Sequence, residues 1–285
     1  MAFKLLAVLL ALLLARAVPM LVQWRSFGWF RALLGALGGG SAGVLAAVLL
    51  PALLVFAAAW LLAGHWLGVP WLLFALAVLL WTLGPRELES DLEELLNAGE
   101  GAPRDAALGH FSGDHDVQPC WTAACAVGMG VNAALRRRYA VLFWFFVLGP
   151  GGALLYRLAR LAALQARAHA DAPPGPAARL AAALEWPAAL LMVLAMALVS
   201  NFDAVLGSLR QWHQQAGRSW LGLDPAFLPA VAAAGVNADV EAGDGYAEDS
   251  TDIAGELEDL AHLLNRVLVV WLVLAAVLVL GGWVA

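Results

Sequence analysis

Residues 139–157, YAVLFWFFVLGPGGALLYR, constrain this chain more tightly than any other stretch. An aromatic, lipid-soluble run is cut in its middle by Gly149-Pro150-Gly151-Gly152 and closes on Tyr156-Arg157. Proline removes a backbone donor and clashes with the preceding turn, and glycine loosens backbone that a side chain would hold. In a bilayer, interrupted backbone persists only where protein or a water-filled cavity satisfies the freed polar groups. A helix broken here has to be covered, so the cover is the first place to look for a site.

That the surroundings are a bilayer follows from composition. The chain is 62% hydrophobic and 13% charged, against roughly 45–50% and about 25% for a soluble domain. Spanning a hydrocarbon core takes about 20 apolar residues. The candidates are 3–22, 44–63, 69–84, 139–156, 184–202 and 267–284. The expected fold is all-α, a polytopic membrane bundle in one integral domain covering 1–285. Two polar regions, 85–138 and 203–264, interrupt it. The start, Met1-Ala2-Phe3-Lys4 before an apolar run, imitates a secretory signal, but Arg16 interrupts the run and no clean cleavage site follows, so it reads as a retained anchor.

The second and third spans are joined by Gly64-His65-Trp66-Leu67-Gly68, a tight helical hairpin with tryptophans near its ends. Residues 24–31 mix aromatics with Arg25 and Arg31 and read as an interfacial segment. In 86–96, Leu88, Leu92, Leu95 and Leu96 form one apolar stripe beneath an acidic face, whose carboxylates are expected in water. Residues 99–119 read as a loop and 234–249 as a mobile stretch. Asp252 is a plausible N-cap for a second acidic helix, 253–264, with Ile253, Leu257, Leu260 and Leu264 on its apolar side. The expected partners are the lipid bilayer and, through the acidic helices, another protein. No basic stripe suits nucleic acid.

By the positive-inside rule, Arg25, Arg31, Arg86, Arg104 and Arg136–Arg138 lie in the cytoplasm. If 139–156 crosses, Arg157, Arg160, Arg167 and Arg179 fall outside, against the rule. A bent or re-entrant segment keeps them inside, and that reading is favoured.

The first chemical candidates are Arg136, Arg137, Arg138, Arg157 and Arg160, with Tyr156 and Asn132 nearby. Guanidinium forks suit phosphate and carboxylate, and backbone N–H groups at Gly149, Gly151 and Gly152 beside Pro150 would add donors. The competing reading is a topology anchor on anionic headgroups. A second set, His110, Asp114, His115 and Asp116, has metal-ligand chemistry but matches no known spacing. Arg16, Glu185, Asn201 and Asp203 lie in or at the ends of apolar helices; Glu185 and Asp203 read as near-terminal groups able to snorkel. Cys120 and Cys125 match no common zinc or redox pattern and read as two small apolar side chains. Phosphate loops, HExxH and GxSxG are absent from the sequence, so no cofactor is expected.

The segment 139–160 resembles the corresponding part of the AmpE family, inner-membrane proteins linked to β-lactamase induction. The residues that carry the resemblance are Phe143-Trp144, then Leu148-Gly149-Pro150, Ala153-Leu154 and Tyr156-Arg157-Leu158. A second block is similar: Glu185-Trp186-Pro187 as a turn, then a helix ending in Asn201-Phe202. AmpE proteins in turn look related to adenosylcobinamide-phosphate synthase, a membrane ligase of cobalamin assembly. The synthase carries acidic residues for metal and nucleotide where this chain has Val131-Asn132 and Leu158-Ala159-Arg160-Leu161, and its Pro-Ala-Arg has become Pro187-Ala188-Ala189. The resemblance therefore implies a multi-pass protein of the bacterial inner membrane, a non-catalytic modulator of cell-wall recycling and antibiotic response. The alternative is a membrane ligase using Mg2+ and nucleotide. A transporter ranks third, since the two halves show no repeat.

Overall fold

The computed structural model describes residues 2–17, 27–38, 40–63, 68–84, 88–99, 101–112, 121–167, 175–216, 223–242 and 253–281. Among them the regular structure is entirely helical. In chain order the helices are α1 Ala2–Ala17, α2 Gly28–Leu37, α3 Ser41–Leu62, α4 Val69–Thr82, α5 Leu88–Asn97, α6 Ala102–Ser112 and α7 Ala123–Ala134. A π turn, Leu135–Tyr139, leads into α8 Ala140–Leu148. Then come α9 Pro150–Arg167, α10 Pro176–Val199, α11 Phe202–Ala216, α12 Leu228–Ala242 and α13 Ile253–Leu280.

Three of these, α3, α10 and α13, are long and apolar enough to cross a membrane. At 1.5 Å per residue the shortest, α3 with 22 residues, is about 33 Å long. The expected spans at 3–22 and 69–84 are shorter within the described residues: α1 has 16 residues and α4 has 14. Leu50, Leu53, Leu54, Trp60 and Leu61 of α3 stand exposed, as do Val269, Val273 and Val277 of α13. An apolar surface of this extent is stable against lipid, not against water.

The chain divides into two compact units. One comprises Met1–Pro85, Arg138–Leu184 and Ala275–Ala285; the other comprises Arg86–Arg137 and Glu185–Leu274. In the first, α9 packs against α3, α4 and α8, and α1 packs against α4. Leu154, Leu158, Ala159 and Ala162 of α9 join Phe30, Val48 and Val78 in one buried cluster. The Nζ of Lys4 donates to the Phe146 carbonyl at 2.9 Å and ties α1 to α8. In the second unit, α12 packs between α7 and α11, and α5, α6 and α7 contact one another. Small residues allow the close approaches. A Cβ on Gly128 would meet Pro229, and one on Gly130 would collide with Leu260.

The π turn follows α7 without intervening coil, and the helix then breaks at Gly149. Gly149 has φ 73° and ψ −157°, a region essentially restricted to glycine. Its N–H caps the Phe145 carbonyl, and its own carbonyl accepts from Gly152 and Ala153. One residue thus ends α8 and begins α9, with Pro150 in the first position where a missing N–H costs nothing.

Several expectations are corrected. Glu185-Trp186-Pro187 is not a turn; α10 runs from Pro176 straight through it, and Asn201 lies after the helix. Glu185 is accordingly mid-helix and only 2% exposed, not a snorkelling terminal group. The segment 99–119 contains α6, started by Pro103 and Asp105 in its first turn, both ordinary helix-entry signals. Helix α12 runs to Ala242, so the first half of 234–249 is helical. The acidic segment 253–264 and the terminal span are one helix of 28 residues, with Leu257, Leu260 and Leu264 buried as expected; Asp252 lies outside the described residues.

Candidate functional site

The π turn carries Arg136, Arg137 and Arg138, and the first two are buried at 9% and 4% exposure. Arg137 is fully engaged. Its Nη1 pairs with the Asp91 carboxylate of α5, and its Nη2 donates to the His110 and Phe111 carbonyls of α6 at 3.3 and 3.2 Å. One guanidinium therefore neutralises a buried acid and satisfies carbonyls at the end of α6, which lack helical partners. Asp91 is 1% exposed, so the acidic face of α5 does not lie wholly in water. Arg136 Nε donates to Glu185 Oε2 at 3.4 Å, a second buried pair. Arg138 is half-buried. Asn132 turns back on its own helix, donating to the Gly128 carbonyl at 2.8 Å.

Arg157 and Arg160 belong to the other unit, on α9. They are 4% and 3% exposed, and Tyr156 is fully buried. The guanidinium of Arg157 lies 5.9 Å from the ring centroid of Phe27, at the outer reach of a cation–π contact. Phe27 stacks on Trp81 at 4.8 Å with the planes 10° apart, and Trp81 is 6.2 Å from Trp29. Spacing of three residues sets both arginines on one face of α9.

The glycines of the break serve packing. A Cβ on Gly151 would come within 3.0 Å of Phe56 and 3.1 Å of the Ala52 carbonyl, and one on Gly152 would collide with the Trp144 carbonyl. The start of α9 is thus pressed onto α3 and α8. Trp144, of the quoted motif, donates from Nε1 to the Leu184 carbonyl at 2.9 Å, one turn before Pro187.

Of the proposed metal ligands, His110 is exposed and its Nδ1 lies 3.0 Å from Glu94 Oε1, a carboxylate of α5. Asp114, His115 and Asp116 lie outside the described residues. Among the described residues no group of three or more His, Cys, Asp or Glu could hold a metal ion. Cys125 is disulfide-bonded instead of being a free apolar filler; Cys120, the other cysteine of the chain, lies outside the described residues. Asn201 is a helix cap, its Oδ1 accepting from the N–H groups of Asp203 and Ala204.

Sequence reasoning missed Asp91 and Glu185 as arginine partners. For Asp91 a signal existed: it lies three residues after Leu88 and four before Leu95, on the apolar stripe itself. What these features define is a class, an all-helical protein with three potential membrane-crossing helices and buried arginines in each of its two units. No family model, curated protein or solved structure matches the chain.

Proposed function

We propose that this chain is an AmpE-like, multi-pass protein of the bacterial inner membrane, a non-catalytic modulator coupling cell-wall recycling to β-lactamase induction. One observation carries the reading. Each motif residue behind the resemblance has a task at the break: Gly149 supplies the turn, Pro150 opens α9, Trp144 holds α10, and Tyr156 and Arg157 are buried just beyond. The lack of acids at 158–161 supports a non-catalytic role over the ligase alternative. Deleting the gene is expected to change inducible β-lactamase activity or muropeptide levels; if both stay unchanged, the reading fails.

In this reading the α8–α9 break is re-entrant, and Arg138, Arg157 and Arg160 belong to the cytoplasmic side. Support comes from the length of α8, whose nine residues cover about 13 Å, less than half a hydrocarbon core. A cysteine introduced at Ala166, with Cys120 and Cys125 removed, is expected to resist an impermeant reagent on intact cells. Labelling from outside would mean that the segment crosses.

A further inference from the structure

We propose that Arg157 and Arg160, together with the aromatic ledge of α2 and α4, form a site for the phosphate of an anionic phospholipid. The inference rests on the membrane reading of the chain and extends it to a ligand class. Its first support is a gradient of exposure. Trp29 is 41% exposed, Phe27 and Trp81 are half-buried, and Arg157 is 4% exposed. Consecutive contacts link them: Trp29 to Trp81 at 6.2 Å, Trp81 to Phe27 at 4.8 Å, and Phe27 to Arg157 at 5.9 Å. Indole rings favour the headgroup level of a bilayer. The ledge therefore leads from the place where lipid headgroups lie to a buried guanidinium.

The second support is charge. The unit holding α9 carries nine basic residues and a single acidic one, Asp171; the other seven basic and twenty-one acidic residues fall in the second unit. Hydrogen bonds to neutral carbonyls satisfy a guanidinium's donors without cancelling its charge, and burying an uncompensated charge is expensive. Even with Asp171 fully used, this unit retains a surplus of positive charge. A phosphate diester supplies the missing negative charge, and its oxygens match the planar donor fork of arginine.

The test uses the full-length protein, reconstituted in vesicles of equal phosphatidylglycerol and phosphatidylcholine, extracted, and read by native mass spectrometry for retained lipid. Phosphatidylglycerol is expected to be retained over phosphatidylcholine by roughly tenfold. Arg157→Gln is expected to remove that preference, while Arg31→Gln, which deletes an exposed charge on α2, leaves it. Should Arg157→Gln not fold, Trp29→Leu removes a largely surface side chain and is expected to lower the preference about threefold at unchanged thermal stability. Equal retention of the two lipids by the wild type overturns the proposal, as does an equal loss in Arg31→Gln. Displacement of the lipid by millimolar inorganic phosphate also overturns it, assigning the site to a free anion. None of these results bears on the β-lactamase reading, which the gene deletion tests.

Discussion

Two pairs of buried arginines, one in each unit, solve the same problem differently. Arg136 and Arg137 face carboxylates, Glu185 and Asp91, and Arg137 also holds two carbonyls of α6. Arg157 faces the ring of Phe27, in a unit whose sequence contains one acid against nine bases. In the first case the fold supplies the counter-charge and the arginines act as internal staples. In the second the fold supplies an aromatic face and leaves the charge to be balanced from outside the unit. Local density of arginine is thus a poor guide to binding: the triplet, the denser cluster, has its two buried members paired with carboxylates.

The sharpest way to break this comparison is to unpair a staple. Removing one partner of a buried ion pair costs about 3–5 kcal/mol, so Asp91→Ala or Arg137→Ala is expected to lower the thermal unfolding temperature in detergent more than any other single change. The double variant Asp91→Leu, Arg137→Met is expected to recover most of that loss, since a buried pair exchanged for apolar side chains is often neutral. If each single variant is near wild type, the pair is not a staple.

Glu185→Gln keeps an acceptor for Arg136 but removes the charge, and the loss should stay within about 1.5–3 kcal/mol. A cost as large as that of Asp91→Ala would make the two pairs equivalent. Gly152→Ala forces a Cβ against the Trp144 carbonyl and is expected to cost about 1–3 kcal/mol through overpacking. Gly35→Ala, where nothing lies within 4 Å of the added atom, serves as control. Phe27→Leu should have the smallest effect, about 0.5 kcal/mol, because the contact lies at the limit of its range. A loss matching Asp91→Ala would show that the ring carries the burial of Arg157 by itself, and the contrast between the units would have to be redrawn.

The comparison also explains what could be read from the chain. The break was legible at Gly149-Pro150, since a proline and three glycines in an apolar run leave few alternatives. The stripe of Leu88, Leu92 and Leu95 was equally plain, and all three are buried. Asp91 lies on that stripe, but four other carboxylates between Glu87 and Glu94 made the face look uniformly solvated. Its partner is 46 residues away, and no local periodicity encodes a contact at that separation. Helix α12, rich in alanine and poor in large side chains, gives no amphipathic signal because its neighbours approach through small residues such as Gly128. Glu185 looked terminal because Pro187 suggested a helix start, yet α10 tolerates that proline in its interior.

Lys4 is the only lysine in the chain, and its ammonium is bound to the Phe146 carbonyl. Amine-selective chemistry therefore has one side chain to find in the whole protein. Slow acylation at that atom would report α1 docked on the helix just before the Gly149 kink, and fast acylation would report it released.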